Sequence, residues 1–195
     1  MQSQQKGVSM ATATEQTAVS LPAGTWNVDP IHSTIGFEVK HFGISTFRGQ
    51  FTGFEGRIET GDGTLERVEG TIRPDSVDAR DPQLSAHLQS EDFFDVASHP
   101  EISFASTGAR KVADVRFELD GELTIRGATR PVALEVEVEG SGQGPDGGDR
   151  ISLAGRGEID RTEFGIAFDG RLDNGALIVG EKVRLVLTVE AVREG

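Results

Sequence analysis

Phe117-Glu-Leu-Asp-Gly-Glu-Leu-Thr-Ile125 puts an apolar residue or glycine at every odd position and a polar one at every even position. Period two is the mark of a half-buried strand, with one face inward and the other in water. The pattern recurs at Ile35, Phe37, Val39, His41; at Val132, Leu134, Val136, Val138; at Ile151, Leu153, Gly155, Gly157, Ile159; and at Val183, Leu185, Leu187, Val189. Charged residues such as Glu38, Lys40, Glu135, Glu137, Arg156 and Arg184 fill the other parity. One wet face per strand means an antiparallel sheet rather than a parallel one covered on both sides. Gly49, Gly70, Gly121, Gly155 and Gly157 all fall on the apolar parity. Glycine weakens a strand, so such a series predicts either coiled barrel corners or vacated interior volume.

Working outward, ordered structure is expected from Thr25, with a first strand at about 35–42. A second, at about 45–59, is bulged near Gly53, where Phe54 breaks parity. Asp62-Gly63 forms a hairpin tip leading to a third strand at about 65–77. Asp81-Pro82 reads as a helix start, because aspartate accepts from exposed N–H groups and proline at the first position loses no needed donor. Leu84 and Leu88 share a face of that short helix; Ser90 is a further cap, and Phe93 and Phe94 follow. A fourth strand carries Ile102 and Phe104, and three more lie near 111–126, 130–140 and 150–160. Residues 140–149 read as a polar solvent loop and 161–181 as a long loop folded over something apolar. A last strand, about 182–192, makes eight. The expected fold is all-β: one eight-stranded antiparallel barrel, residues 25–195, behind a disordered leader, residues 1–24, with a helical excursion between the third and fourth strands.

Composition narrows the partners. A formal charge of −13 spread over strand faces repels phosphate backbones, so no nucleic acid is expected. No run of about 20 apolar residues exists, so no stable membrane insertion is expected. The first 20 residues contain no apolar core of a signal peptide, which points to a cytoplasmic protein. Cysteine is absent, which excludes disulfides and thiol chemistry. A homodimer is left open.

Several short motifs then occur in a fixed order. They are Trp26-x-Val-Asp-Pro-x-His-Ser33, Phe37-x-Val-x-His-Phe-Gly43, Arg80-Asp81 with His87-Leu88, Asp92-Phe-Phe-Asp95, His99-Pro-x-Ile-x-Phe104, Gly121-x-Leu-Thr-Ile-x-Gly127 with Pro131-Val132, and Arg161-x-x-Phe-Gly165. From Trp26 to the C-terminus the chain resembles the YceI-like family. The resemblance implies a lipocalin-like barrel that binds a polyisoprenoid or another long-chain amphiphile, with no cofactor beyond that bound lipid.

The pocket residues rest on strand parity. Phe37, Val39, Phe47, Phe51, Phe104, Leu123 and Ile125 are the expected walls, Leu84, Leu88, Phe93 and Phe94 the lid, and His41 and Arg80 the head-group contacts. No catalytic or metal site is expected. No histidine pair has the i, i+4 spacing of a helical zinc site, and Asp146-Gly-Gly-Asp149 misses the register of a calcium loop. Asp29, His32 and Ser33 hold the residue types of a hydrolytic triad, yet they crowd into five residues without a Gly-x-Ser-x-Gly elbow. The expected function is sequestration or transport of an isoprenoid, isoprenoid quinone or fatty-acid derivative, without catalysis. The rival is a packed-barrel interaction or stress-related scaffold using 161–181 as its contact surface; a lipid hydrolase or isomerase comes third. A continuous cavity separates the first two.

Overall fold

A computed structural model describes residues 21–195, and Met1–Ser20, most of the expected leader, lie outside the described residues. Among the described residues there are eleven strands: β1 (Gly24–Val28), β2 (Thr34–His41), β3 (Ser45–Phe51), β4 (Phe54–Gly61), β5 (Thr64–Ile72), β6 (Val77–Asp78), β7 (Ile102–Ala113), β8 (Arg116–Ile125), β9 (Ala128–Gln143), β10 (Asp149–Asp160) and β11 (Val179–Arg193). Helix α1 (Pro82–Gln89) sits between β6 and β7. The strands β1, β4, β5, β7, β8, β9, β10 and β11 pair in that order, and β11 returns to β1, closing an eight-stranded antiparallel barrel.

The other three strands continue wall positions already counted. Residues Ala191–Arg193 of β11 pair with β1, while Val179–Thr188 of the same strand pair with β2. β1 and β2 are therefore one wall position broken at Asp29–Ser33. β3 and β4 break likewise at Thr52 and Gly53, where the Ser76 carbonyl accepts from the Thr52 N–H at 3.2 Å and the Ser76 hydroxyl from the Gly53 N–H at 2.8 Å. β5 and β6 are separated by a 3₁₀ turn at Pro74–Ser76. The bulge expected near Gly53 is thus a full interruption.

Two boundaries differ from expectation at the front and in the 140s. Leu21 is buried and its carbonyl accepts from Gly63 N–H, while the Pro22 carbonyl accepts from the Thr60 hydroxyl at 2.6 Å. Leu21–Ala23 thus pack on the barrel although the sequence places them in the leader. β9 and β10 also continue pairing to Gln143 and Asp149, so only 144–148 remain as loop where composition predicts 140–149. Pairing across two glycine-rich strands overrides a loop-like composition there.

The barrel interior is divided lengthwise. Trp26, Leu65, Phe117, Leu119, Val136, Val138, Ile151, Leu153 and Ala191 are buried and fill one end. Their registers agree: Phe117 pairs with Val136, Leu153 with Val138, Ile151 with Ala191. The other end is hollow.

Four of the five inward glycines fit neither expected reading. The Phe37 ring lies over Gly49, its direct cross-strand partner, and the Phe104 ring lies over Gly121. Leu134 would be 2.6 Å from a Cβ at Gly157, and Leu187 3.1 Å from one at Gly155. These glycines are seats that let a neighbouring side chain lie flat on the sheet, a known way of stabilising glycine in strands. Gly70 differs in having no side chain over it: it borders the cavity, and a Cβ there would meet only main-chain atoms, at 3.2 and 3.8 Å. None of the five has positive φ, so none is a strained corner.

Candidate functional site

The hollow end encloses a cavity of about 430 Å³, in the range of sites that bury a small ligand. Alternation explains its walls. Phe37, Val39 and His41 of β2, Phe47 and Phe51 of β3, Phe104 of β7, and Leu123 and Ile125 of β8 all border it. Ile58 of β4, Val68, Gly70 and Ile72 of β5, Val132 and Leu134 of β9, Ile159 of β10, and Val183, Leu185, Leu187 and Val189 of β11 complete the circuit.

Two covers lie over this end. The first is α1 with the turn that follows. Asp81 caps the helix by accepting from Leu84 N–H at 2.8 Å, which sets Leu84 and Leu88 toward the interior, and Phe93 and Phe94 border the same cavity. Arg126, from the β8–β9 turn, fixes the cover by donating to the carbonyls of Glu91 at 2.7 Å and Phe93 at 2.6 Å. The second cover is 161–178, which sends Ile166, Phe168 and Ile178 inward. The rival's contact surface therefore turns its apolar residues to the interior. Rings of wall and cover meet edge-on: Phe51 and Phe94 at 5.4 Å, Phe37 and Phe94 at 6.5 Å, and His87 against Phe93 at 5.1 Å and Phe168 at 5.8 Å.

Of the residues singled out from sequence, Arg80 is the one misplaced. It is exposed, does not border the cavity, and has a left-handed backbone with φ 63°. Its N–H donates to Asp78 Oδ1 at 2.8 Å, turning the chain from β6 into α1. That reversal leaves its side chain outside.

The guanidinium that borders the cavity belongs to Arg161, which sequence reasoning missed. Only 4% of Arg161 is exposed. It donates to four carbonyls of its own loop and the next strand: Gly180 at 2.9 Å, Ile166 at 2.6 Å, Phe168 at 2.7 Å and Val179 at 3.0 Å. Burial pushes its ionisation below the ordinary arginine value. Both ends of the second cover are thereby tied to one side chain. His41 and His87 also border the cavity, and His41 stacks on Phe42 at 3.8 Å.

Asp29, His32 and Ser33 lie at the β1–β2 break, away from the cavity lining. Ser33 Oγ donates to the Glu190 carbonyl at 3.1 Å and accepts from Glu190 N–H at 3.0 Å, so it ties β2 to β11 and does not face His32 as a nucleophile. Oxygen and nitrogen atoms of Asp29, His32 and Glu190 lie within 4.8 Å of one another. Arg150 already supplies the cation there, donating to Asp29 at 3.2 Å and Glu190 at 2.6 Å.

The hydrogen bond from His32 Nδ1, 2.8 Å from Asp29 Oδ2, together with that from the Ile31 N–H, holds the Asp29 carboxyl at about 2. Asp29 in turn raises His32 above the ordinary imidazole value. The histidine contribution to stability is complete below about 6.5 and is lost as pH rises through the raised value. The aspartate contribution is complete above about 3.9 and is lost as pH falls through the depressed one. An NMR titration should find His32 titrating above about 6.5 and Asp29→Asn returning it to that range. A wild-type His32 that titrates at or below the ordinary value would contradict the pair.

Comparison with known proteins follows the same boundaries. The profile of the YceI-like domain matches residues 26–191. Protein YceI of Salmonella arizonae is 32% identical over 165 residues, covering 84% of this chain and 83% of that protein. The crystal structure of Burkholderia cenocepacia BcnA superposes with a TM-score of 0.73 at 21% identity, over 84% of this chain and 98% of that one. Campylobacter jejuni YceI gives 0.70 at 26% identity, over 80% and 90%. A polyisoprenoid-binding domain of Saccharophagus degradans gives 0.66 at 12% identity, over 88% and 99%, which speaks for the fold alone.

Proposed function

The chain belongs to the YceI-like family, and from that premise we propose that its cavity takes up one long-chain apolar amphiphile and sequesters or carries it without making or breaking a bond. The isoprenoid, isoprenoid quinone and fatty-acid derivatives are the classes that fit. The observation that carries this reading is the half-hollow interior: about 430 Å³ bounded by aliphatic and phenyl side chains and covered by two segments whose own apolar residues face in. The polyisoprenoid-binding description of the Saccharophagus degradans domain supports it. A cavity of that size disfavours the packed-barrel scaffold, and the engagement of Ser33 with the main chain of β11 disfavours hydrolysis.

Burial of each methylene contributes about 0.8 kcal/mol, so affinity should climb with chain length until the cavity is full. The fluorescent apolar probe 1-N-phenylnaphthylamine should bind the purified protein. Geraniol, farnesol and geranylgeraniol should displace it with affinities rising by at least about tenfold from the first to the second. Absence of probe uptake, or displacement indifferent to chain length, would refute the proposal.

A further inference from the structure

Within the apolar lining, the polar side chains gather at one pole. Arg161 donates to the carbonyls of Phe168 and Val179. The His87 ring rests on the Phe168 ring, and His41 is the cross-strand partner of Val179. The three nitrogen-bearing residues that border the cavity therefore converge on Phe168 of the second cover and Val179 at the start of β11. Glu55 and Glu69 also border the cavity, but through their main chain. The Glu55 carbonyl faces Gly70 and the Glu69 carbonyl faces Gly56, while the Glu55 carboxylate accepts from the Thr71 hydroxyl and that of Glu69 pairs with Arg67.

Arg161 is the unusual member. A guanidinium has five N–H donors, and its four hydrogen bonds all end on uncharged carbonyls. The carboxylates of Glu181, Asp160 and Asp169 act on it through space without a hydrogen bond. Buried charges are ordinarily paired, because desolvation of a lone ion is costly. Here a nearly inaccessible cation borders the cavity with no counterion among the described residues bonded to it.

We propose that this pole recognises a single-charged anionic head, so that the preferred occupant is a long-chain carboxylate. Its tail lies along the apolar walls, and its carboxylate supplies the counterion to Arg161 and accepts from the imidazole of His41, while His87 donates from Nε2 to Asp92 Oδ2 at 3.0 Å and offers the ligand only its ring. A phosphate would bring more charge and more acceptor oxygens than two side chains can satisfy. A neutral alcohol of the same chain gains the burial but not the charge-assisted hydrogen bonds.

This inference rests on the apolar-cavity reading, and one experiment separates the two. Hexadecanoate, hexadecanamide and hexadecanol are each titrated against bound 1-N-phenylnaphthylamine at one pH and one ionic strength. Hexadecanoate should bind at least about tenfold more tightly than hexadecanol, with the amide between them. The acid-to-alcohol ratio, measured on each variant, should fall in His41→Phe, survive in part in Arg161→Lys, and approach one in Arg161→Gln. If Arg161→Gln fails to fold, the wild-type ratio and the His41 variant still decide. A wild-type ratio near one, or favouring the alcohol, overturns the carboxylate assignment and leaves the apolar cavity standing. Failure of the probe itself to bind overturns both.

Discussion

Trp26→Ala is expected to cost about 3–5 kcal/mol, the range for removing a buried aromatic residue. Trp26 is fully buried at the packed end of the barrel and belongs to β1, the strand through which the ring closes on both β4 and β11. Its indole N–H donates to the Thr60 hydroxyl at 2.8 Å, and that hydroxyl donates to the Pro22 carbonyl at 2.6 Å. Arg193 lies over the ring at 4.8 Å. Alanine removes all of these together and leaves a void that β-strands cannot collapse to fill. For a chain of this size the melting temperature should drop by roughly 6–20 °C. Trp26→Phe, which keeps most of the volume and loses the hydrogen bond, should cost about 1 kcal/mol. Guanidinium midpoints for both variants test the assignment, and a loss below about 1 kcal/mol for alanine would show that the packed end is not where stability resides.

The second large effect is on binding. Val68→Phe combined with Val183→Phe adds bulk on β5 and β11, both of which border the cavity. Each ring removes space for more than one methylene, so 1-N-phenylnaphthylamine affinity should fall by at least about tenfold. Stability should change little, because the new rings enter empty volume. Leu119→Phe is the converse. It overpacks a residue that is 1% exposed at the filled end, so it should cost about 1–3 kcal/mol and leave probe affinity intact. Equal destabilisation by both changes would contradict the division of the interior.

The sequence foretells this structure where a single strand carries the signal. Parity along β8, β9 and β11 depends only on alternation within each strand, and the inward sets of all three are as read. What depends on a second strand was out of reach. The inward glycines look like corners or voids until register places Phe37 over Gly49 and Phe104 over Gly121. Gly140–Asp149 has a loop's composition, and only the pairing of β9 with β10 makes strand of its edges. The arginines failed for a related reason. Arg80 adjoins the covering helix in sequence, but its left-handed φ directs it outward. Arg161 opens a segment without periodicity, where an arginine is ordinarily solvated. Its signal was the short apolar series Phe164, Ile166 and Phe168 beside it, which marks a segment folded inward.

A barrel filled at one end and empty at the other keeps its reservoir of folding energy apart from the surface on which selection for ligand acts. Substitutions among the partly buried cavity-facing residues, such as Val68 and Val183, can accumulate without approaching the threshold at which the fold fails, while those around Trp26 cannot. Such a scaffold is suited to diversify: duplicated copies can drift toward different cargoes while keeping one architecture. In a lineage evolving this way, sequence change should concentrate at the hollow end, and ancestral reconstructions should exchange ligands through changes on β2, β5 and β11 with melting temperature held nearly constant.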